Sequence, residues 1–150
     1  MRKNQKIMIG GGIGIVLILA CVAVALFVTS GQQQAAQTKP GLPDWTDEAA
    51  VRKEARALID EANDHDWDAL AGKVSATVKT SKSELIKGFK NSEATMDAFG
   101  AFKSYDDVAY YQSASGDQAI IVQQATHENA KVQYSVAFEK DGGWSMFRFK

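Results

Sequence analysis

The sequence predicts an α+β fold behind a single N-terminal membrane-spanning helix, and three observations predict it. An uncharged apolar run fills Ile7–Val28. Apolar residues then recur at helical spacing between Val51 and Phe99. From Tyr105 to Phe149 the pattern changes to short alternating stretches, separated by turns that contain glycine, asparagine or aspartate. Helices first and strands afterwards is the order of an α+β layout, in which helices pack on one face of an antiparallel sheet of about four strands.

The apolar run, IMIGGGIGIVLILACVAVALFV, has no charged or strongly polar side chain. At the rise of an α-helix it spans about 33 Å, close to the hydrocarbon thickness of a bilayer. A secretory signal has a shorter apolar region, so the run reads as an uncleaved anchor. Two rival readings use the same residues. Val28-Thr29-Ser30 before Gly31 has the small residues of a signal-peptidase site. Ile18-Leu19-Ala20-Cys21 has the form of a lipobox with Cys21 as the lipidated residue, although the apolar run continues beyond it. Arg2, Lys3 and Lys6 precede the anchor, and the first basic residue after it is Lys39. That asymmetry keeps residues 1–6 in the cytoplasm and sends the C-terminal part outside. Gly10 and Gly14 form one G-x-x-x-G, a weak signal for close helix approach in a glycine-rich run. Cys21 is the chain's single cysteine, so no intrachain disulfide forms.

The net charge of −1 hides a division along the chain. All 18 acidic residues lie from Asp44 onward, whereas 14 of the 17 basic residues lie from Lys39 onward. The outer part therefore carries a charge of −4. That balance, with no basic stripe interleaved with aromatics, argues against nucleic acid and anionic lipid as partners of its bulk surface.

Residues 29–44 are polar, hold both prolines and read as a flexible stalk before a domain over 45–150. Thr46 or Asp47 can cap a first helix whose inward residues are Val51, Ala55, Leu58, Ile59 and Ala62. Trp67, Leu70 and Val74 mark a short second helix. Ser81-Lys82-Ser83-Glu84 fits a capping box and opens a third, with Leu85, Phe89, Met96 and Phe99 on its apolar side and Gly100 as its stop. Strands follow over Tyr105–Ser113, Gln118–Thr126, Lys131–Glu139 and Trp144–Phe149. Lys131–Glu139 alternates most cleanly, with Val132, Tyr134, Val136 and Phe138 on one face. Ser115-Gly116-Asp117, His127-Glu128-Asn129 and Asp141-Gly142-Gly143 read as hairpin turns.

The order helix, Asn63-Asp64-His65-Asp66-Trp67, short helix, helix, Gly100-Ala101-Phe102-Lys103-Ser104-Tyr105 and strand meander resembles a bacterial domain of unknown function, family 3887. The resemblance covers Glu48 to Lys150 and is most specific at the GAFKSY segment. The family is similar to the nuclear-transport-factor-2-like (cystatin-like) group, which implies a curved sheet wrapped around helices as a cone. On that shape NDHDW is the turn after the first helix. Asn, Asp and His tolerate left-handed backbone, Asp66 caps the next helix, and Trp67 plugs the apolar end of the cone.

Enzymes of this shape place a His–Asp dyad inside the cone. Here His65 and His127 both fall in turns and are expected in solvent, and Asp106 and Asp107 read as edge charges. No zinc-type histidine spacing, nucleophile elbow or phosphate loop occurs, so no catalytic, cofactor or metal residue is assigned. Tyr110 and Tyr111 put one aromatic on each face of the first strand. In the last strand Ser145, Phe147 and Phe149 share one face and Trp144, Met146 and Arg148 the other. The residues expected to line a cavity are Trp67, Tyr110, Tyr111, Tyr134 and Arg148, with Arg148 placed to meet an anionic ligand or a partner carboxylate. The competing reading is a cone filled by side chains. The expectation is a single-pass, extracytoplasmic binding or scaffold domain, without catalysis, held in the membrane by Ile7–Val28 and facing a protein or envelope partner. The alternative is a small-molecule binding protein or enzyme that uses the cone cavity.

Overall fold

The computed structural model describes residues 38–150. The expected anchor and the greater part of the stalk lie outside the described residues, and no helix within them is long and apolar enough to cross a membrane. The fold is α+β, as its pattern predicts. Strand β1 is Lys39–Pro40. Helices α1 (Glu48–Asn63), α2 (Trp67–Gly72), α3 (Lys82–Lys90) and α4 (Glu93–Phe99) follow, then strands β2 (Phe102–Gln112), β3 (Gln118–His127), β4 (Lys131–Glu139) and β5 (Trp144–Phe149). The sheet has five strands in the order β1-β2-β3-β4-β5, and every pairing is antiparallel.

The helix starts follow from local chemistry. Asp47 accepts the Ala50 N–H at 2.8 Å and Ser81 the Glu84 N–H at 3.2 Å, so each satisfies an amide that the first helical turn leaves without a partner. Asp66 does the same for Ala69 at 3.2 Å. The third helical stretch divides at Asn91–Ser92 into α3 and α4, which the sequence pattern had merged.

Helix α1 buries Val51, Ala55, Leu58, Ile59 and Ala62 against the sheet, as its spacing requires. The inner face of the sheet answers with Ile121, Val132, Tyr134, Val136, Trp144, Phe147 and Phe149. Aromatic rings knit the two layers together edge to face: Phe89 with Phe147 at 6.1 Å and 87°, and Phe99 with Phe149 at 6.0 Å and 89°. Such pairs add to what burial of their area alone supplies.

Four features depart from the sequence reading. Lys39 and Pro40, expected in the stalk, pair with Gln112 and Tyr111 as a short edge strand. Pro43 behind them is buried, so the domain begins before Trp45. Strand β2 starts at Phe102 rather than Tyr105. The pairing of β4 with β5 shifts between Ala137 and Phe138, so Phe138 opposes Trp144 while Ala137 opposes Met146. That bulge turns Trp144 to the same inner face as Phe147 and Phe149 and leaves Met146 and Arg148 outside, whereas strict alternation had put Trp144 with Met146.

Two glycines are fixed by close approach. Gly100 ends α4 at φ +79°, and a Cβ there would lie 2.8 Å from the side chains of Glu128 and Asn129. The β3–β4 turn seats on this point through Glu128 N–H to Ala101 O and Asn129 N–H to Phe99 O, both at 2.8 Å. The first residue of GAFKSY is thus the seat of a hairpin. Gly143 meets the α2–α3 loop, where a Cβ would stand 2.4 Å from Ser75 Cα.

Candidate functional site

The NDHDW segment is a helix-to-helix turn, as its residue types predict. His65 takes a left-handed conformation at φ +58°. Its ring stacks on Trp67 at 5.4 Å and 15°, and Trp67 stacks on Phe89 at 5.4 Å and 11°. Trp67 is 4% exposed, and its indole N–H donates to the Glu93 carboxylate of α4. His65 Nε2 lies 3.3 Å from Asp97 Oδ1. The histidine therefore docks α4 onto the turn beside a wall of stacked rings. Among the described residues no group of three or more His, Cys, Asp and Glu is arranged to hold a metal ion.

His127 corrects the expectation of a solvated turn residue. It is the last residue of β3 and 3% exposed. Phe99 and Phe102 meet its ring edge-on at 5.7 and 5.6 Å. Its Nδ1 lies 3.1 Å from Gly100 O and its Nε2 2.9 Å from Tyr134 Oη. Both ring nitrogens are thereby used on fixed partners. Burial holds the Tyr134 phenol well above the usual tyrosine range. Tyr134 is fully buried, so this pair has no open path to a substrate.

The five residues expected to line one cavity do not converge. Trp67, Tyr110 and Tyr134 belong to the helix-covered side, where Tyr134 and Trp67 fill space with Trp144, Phe147 and Phe149. Tyr111 and Arg148 belong to the opposite face. There Tyr111 packs on Ile120, Ala137 and Met146, an apolar row across β2–β5 that no helix residue among those described joins. Arg148 follows Met146 by two residues on β5 and so shares its face.

A cleft of about 420 Å³ opens elsewhere, between α1, the α2–α3 loop and the β4–β5 hairpin. Leu58, Phe138 and Trp144 form its floor, and Glu54, Lys73 and Asp141 supply its charges. Its wall is pinned by backbone pairing: Ser75 N–H donates to Trp144 O at 2.8 Å and Trp144 N–H to Lys73 O at 3.2 Å. The Trp144 indole donates to Leu70 O at 2.7 Å. Asp141 closes the corner by accepting from Gly143 N–H, Ala76 N–H and Ser75 Oγ, each at 2.9 Å. The Gly143 amide leads in holding the Asp141 carboxyl below its ordinary value, with the Ala76 amide and the Ser75 hydroxyl adding to it.

A polar seam that the sequence reading missed runs between α1 and β2. Strand β2 carries one extra residue between Tyr105 and Val108, opposite Ala125 and Gln123. Gln123, fully buried, turns its amide into that bulge. Its Nε2 donates to Asp106 O at 3.1 Å, Asp107 O at 3.3 Å and Gln124 O at 2.8 Å, and its Oε1 accepts from Arg56 Nε at 3.1 Å. Carbonyls freed by the bulge thus regain donors. Arg56 lies over the Tyr105 ring at 4.5 Å, and Arg52 Nη1 donates to Tyr110 Oη at 2.8 Å. Tyr105 donates to Asp60 Oδ1 at 2.6 Å, and burial, then that bond, raises its phenol far above the usual range. Counting in twos from Ile121 finds Gln123 and His127 on the inward phase of β3, and that was the signal available.

Comparisons with known proteins add a fold and no chemistry. No family model and no curated protein matches the sequence. The NMR structure of a protein from Ruminococcus gnavus ATCC 29149 superposes with a TM-score of 0.62 at 20% identity, over 73% of this chain and 96% of that one. At that identity the likeness shows a shared fold.

Proposed function

We propose that this chain is a single-pass membrane protein presenting an extracytoplasmic binding or scaffold domain that acts without catalysis. The observation that carries the reading is the filled interior. Trp67, Tyr134, Trp144, Phe147 and Phe149 occupy the space between helices and sheet, each at most 4% exposed. An interior plugged in this way leaves the outer surface as the working part. The outer face of the sheet, where half-buried Tyr111 and Arg148 border the covered Ile120, Ala137 and Met146, is the surface best suited to a protein or envelope partner. The helices-on-sheet architecture supports the resemblance to family 3887 and to the cone-shaped group around it. The uncharged Ile7–Val28 run and the basic residues before it support the anchor and its orientation.

Photo-cross-linking in intact membranes tests the reading. A cross-linker at Tyr111 or Arg148 is expected to trap a discrete adduct that one at exposed Lys87 of α3 does not. Equal, diffuse labelling from both positions overturns it. N-terminal sequencing of membrane-extracted protein tests the anchor: a mature start at Gly31 removes it, and a lipidated Cys21 replaces it.

The cleft beside Asp141 favours a second reading, small-molecule binding, because its volume falls within the range of ligand pockets. A ligand screen scored by protection of the Gly72–Ala76 amides from hydrogen exchange distinguishes it from the scaffold.

A further inference from the structure

We propose that Arg52 and Arg56 form a docking point for one oxyanion group, a carboxylate or a phosphate, at the seam between α1 and β2. The proposal deepens the binding-domain reading by naming the chemistry that a partner or ligand must present.

The two arginines sit four residues apart on α1 and therefore on one side of it. Both are half-buried. Each is held by a neutral acceptor, Arg52 by Tyr110 Oη at 2.8 Å and Arg56 by Gln123 Oε1 at 3.1 Å. Arg56 is further oriented by the Tyr105 ring beneath it. Their positions are thus fixed, while neither guanidinium forms an ion pair with a carboxylate among the described residues, where the ion pairs involve lysine and His65. The residues before 38 contain no Asp or Glu, so that part of the chain has no carboxylate to offer. Asp60, one turn along α1 from Arg56, is committed to Tyr105 Oη at 2.6 Å.

This is unusual in a domain where acids outnumber bases. A partly desolvated guanidinium gains most from an ionised acceptor, and its planar fork suits the paired oxygens of a carboxylate or phosphate. Each guanidinium has five N–H donors, and each makes one side-chain hydrogen bond to a described residue. The remaining donors, on adjacent turns of a rigid helix, supply a preorganised pair of forks. Ordering entropy is already spent by Tyr110, Gln123 and Tyr105, which favours binding.

The test uses the full chain in detergent micelles with arginine Nε–Hε groups observed by NMR at low salt. Inorganic phosphate and succinate are titrated separately. The expected result is a saturable shift at Arg52 and Arg56, and the tighter of the two probes identifies the oxyanion. Arg52→Gln, which leaves the Gln123 contact untouched, is expected to weaken binding about tenfold or more, and Arg56→Gln likewise. Lys87→Gln, on the exposed side of α3, is expected to bind as the unaltered chain does. No saturable shift with either probe overturns the proposal, as does unchanged affinity in a folded Arg52→Gln protein. Such a failure leaves the scaffold reading standing, because cross-linking from the outer sheet face tests that separately.

Discussion

Replacing Gly143 by alanine tests whether the β4–β5 hairpin is bound to the α2–α3 loop as tightly as the geometry implies. The added Cβ would stand 2.4 Å from Ser75 Cα, 2.5 Å from Ser75 N and 2.9 Å from Val74 C. These are backbone atoms, so no side chain can swing aside. The hairpin must retreat, and retreat stretches Ser75 N–H to Trp144 O and Trp144 N–H to Lys73 O. It also loosens Asp141 on Ser75 and Ala76. With four hydrogen bonds disturbed at about 1 kcal/mol net each, Gly143→Ala should cost up to about 4 kcal/mol. Gly142→Ala is the control: it has φ +87° but nothing within 4 Å of the new Cβ. Left-handed strain alone sets its cost, at about 1 kcal/mol. Urea unfolding of both variants, followed by tryptophan fluorescence, gives the comparison, since Trp144 sits at the joint. A Gly143→Ala protein as stable as the starting chain, or more stable than Gly142→Ala, would refute the reasoning.

Gln123→Leu removes an amide that serves three carbonyls and one arginine, and should cost about 2 kcal/mol in the same assay, discounted for the partial exposure of Asp106 and Asp107. A neutral result would show that the bulge carbonyls find water instead. The Asp141 carboxyl is depressed in the folded state, so its contribution is present above its unfolded pKa of about 4 and is lost as pH falls through the lower folded value. Asp141→Asn should therefore flatten the loss of stability on acidification below about pH 4, and an unchanged slope would refute the assignment. Tyr105 and Tyr134 are both raised, so they stay protonated in the folded chain past the ordinary tyrosine range. Their contribution to stability is complete below about pH 10 and is lost as pH rises through the higher folded values. Ultraviolet titration should accordingly show Tyr105 and Tyr134 ionising only as the protein unfolds. Ionisation of either phenol in the folded chain near pH 10 would sink that reading.

The parts of this fold that were legible in the sequence are those set by local chemistry over several residues. Asp47 and Ser81 announce helix starts, the Val51–Ala62 stripe announces a buried face, and Val132–Phe138 alternates as an inward strand face should. What escaped depended on one residue or on distant partners. A two-residue strand at Lys39–Pro40 has no period to detect; only its partner Gln112–Tyr111 defines it. The bulge beside Phe138 adds one residue to one strand, and that single step moves Trp144 from the face of Met146 and Arg148 to that of Phe147 and Phe149. Arg148 and Tyr111 then fall on the face opposite Trp67 and Tyr134, so the expected cavity lining separates into two sets. His127 was read as part of a turn because Glu128 and Asn129 follow it, although its phase with Ile121 points inward.

The same inward phase shows how this domain treats polarity under its helices. Gln123 and His127 occupy positions that an apolar core would give to leucine or valine, and each has its polar side-chain atoms matched to protein partners. A satisfied buried polar group costs little, and it fixes the register of what it touches. Gln123 fixes the bulge in β2, and His127 fixes the junction of α4 with the β3–β4 turn through Gly100. Neither has capacity left for chemistry. Among the described residues, arginine charge without an ionic partner lies one layer out, on Arg52 and Arg56 at the seam and on Arg148 on the outer sheet face. In a domain with an acidic balance, three arginines without an ion pair are where an outside oxyanion gains most. The interior accounts for shape, and the proposed recognition rests on the seam and the outer sheet face.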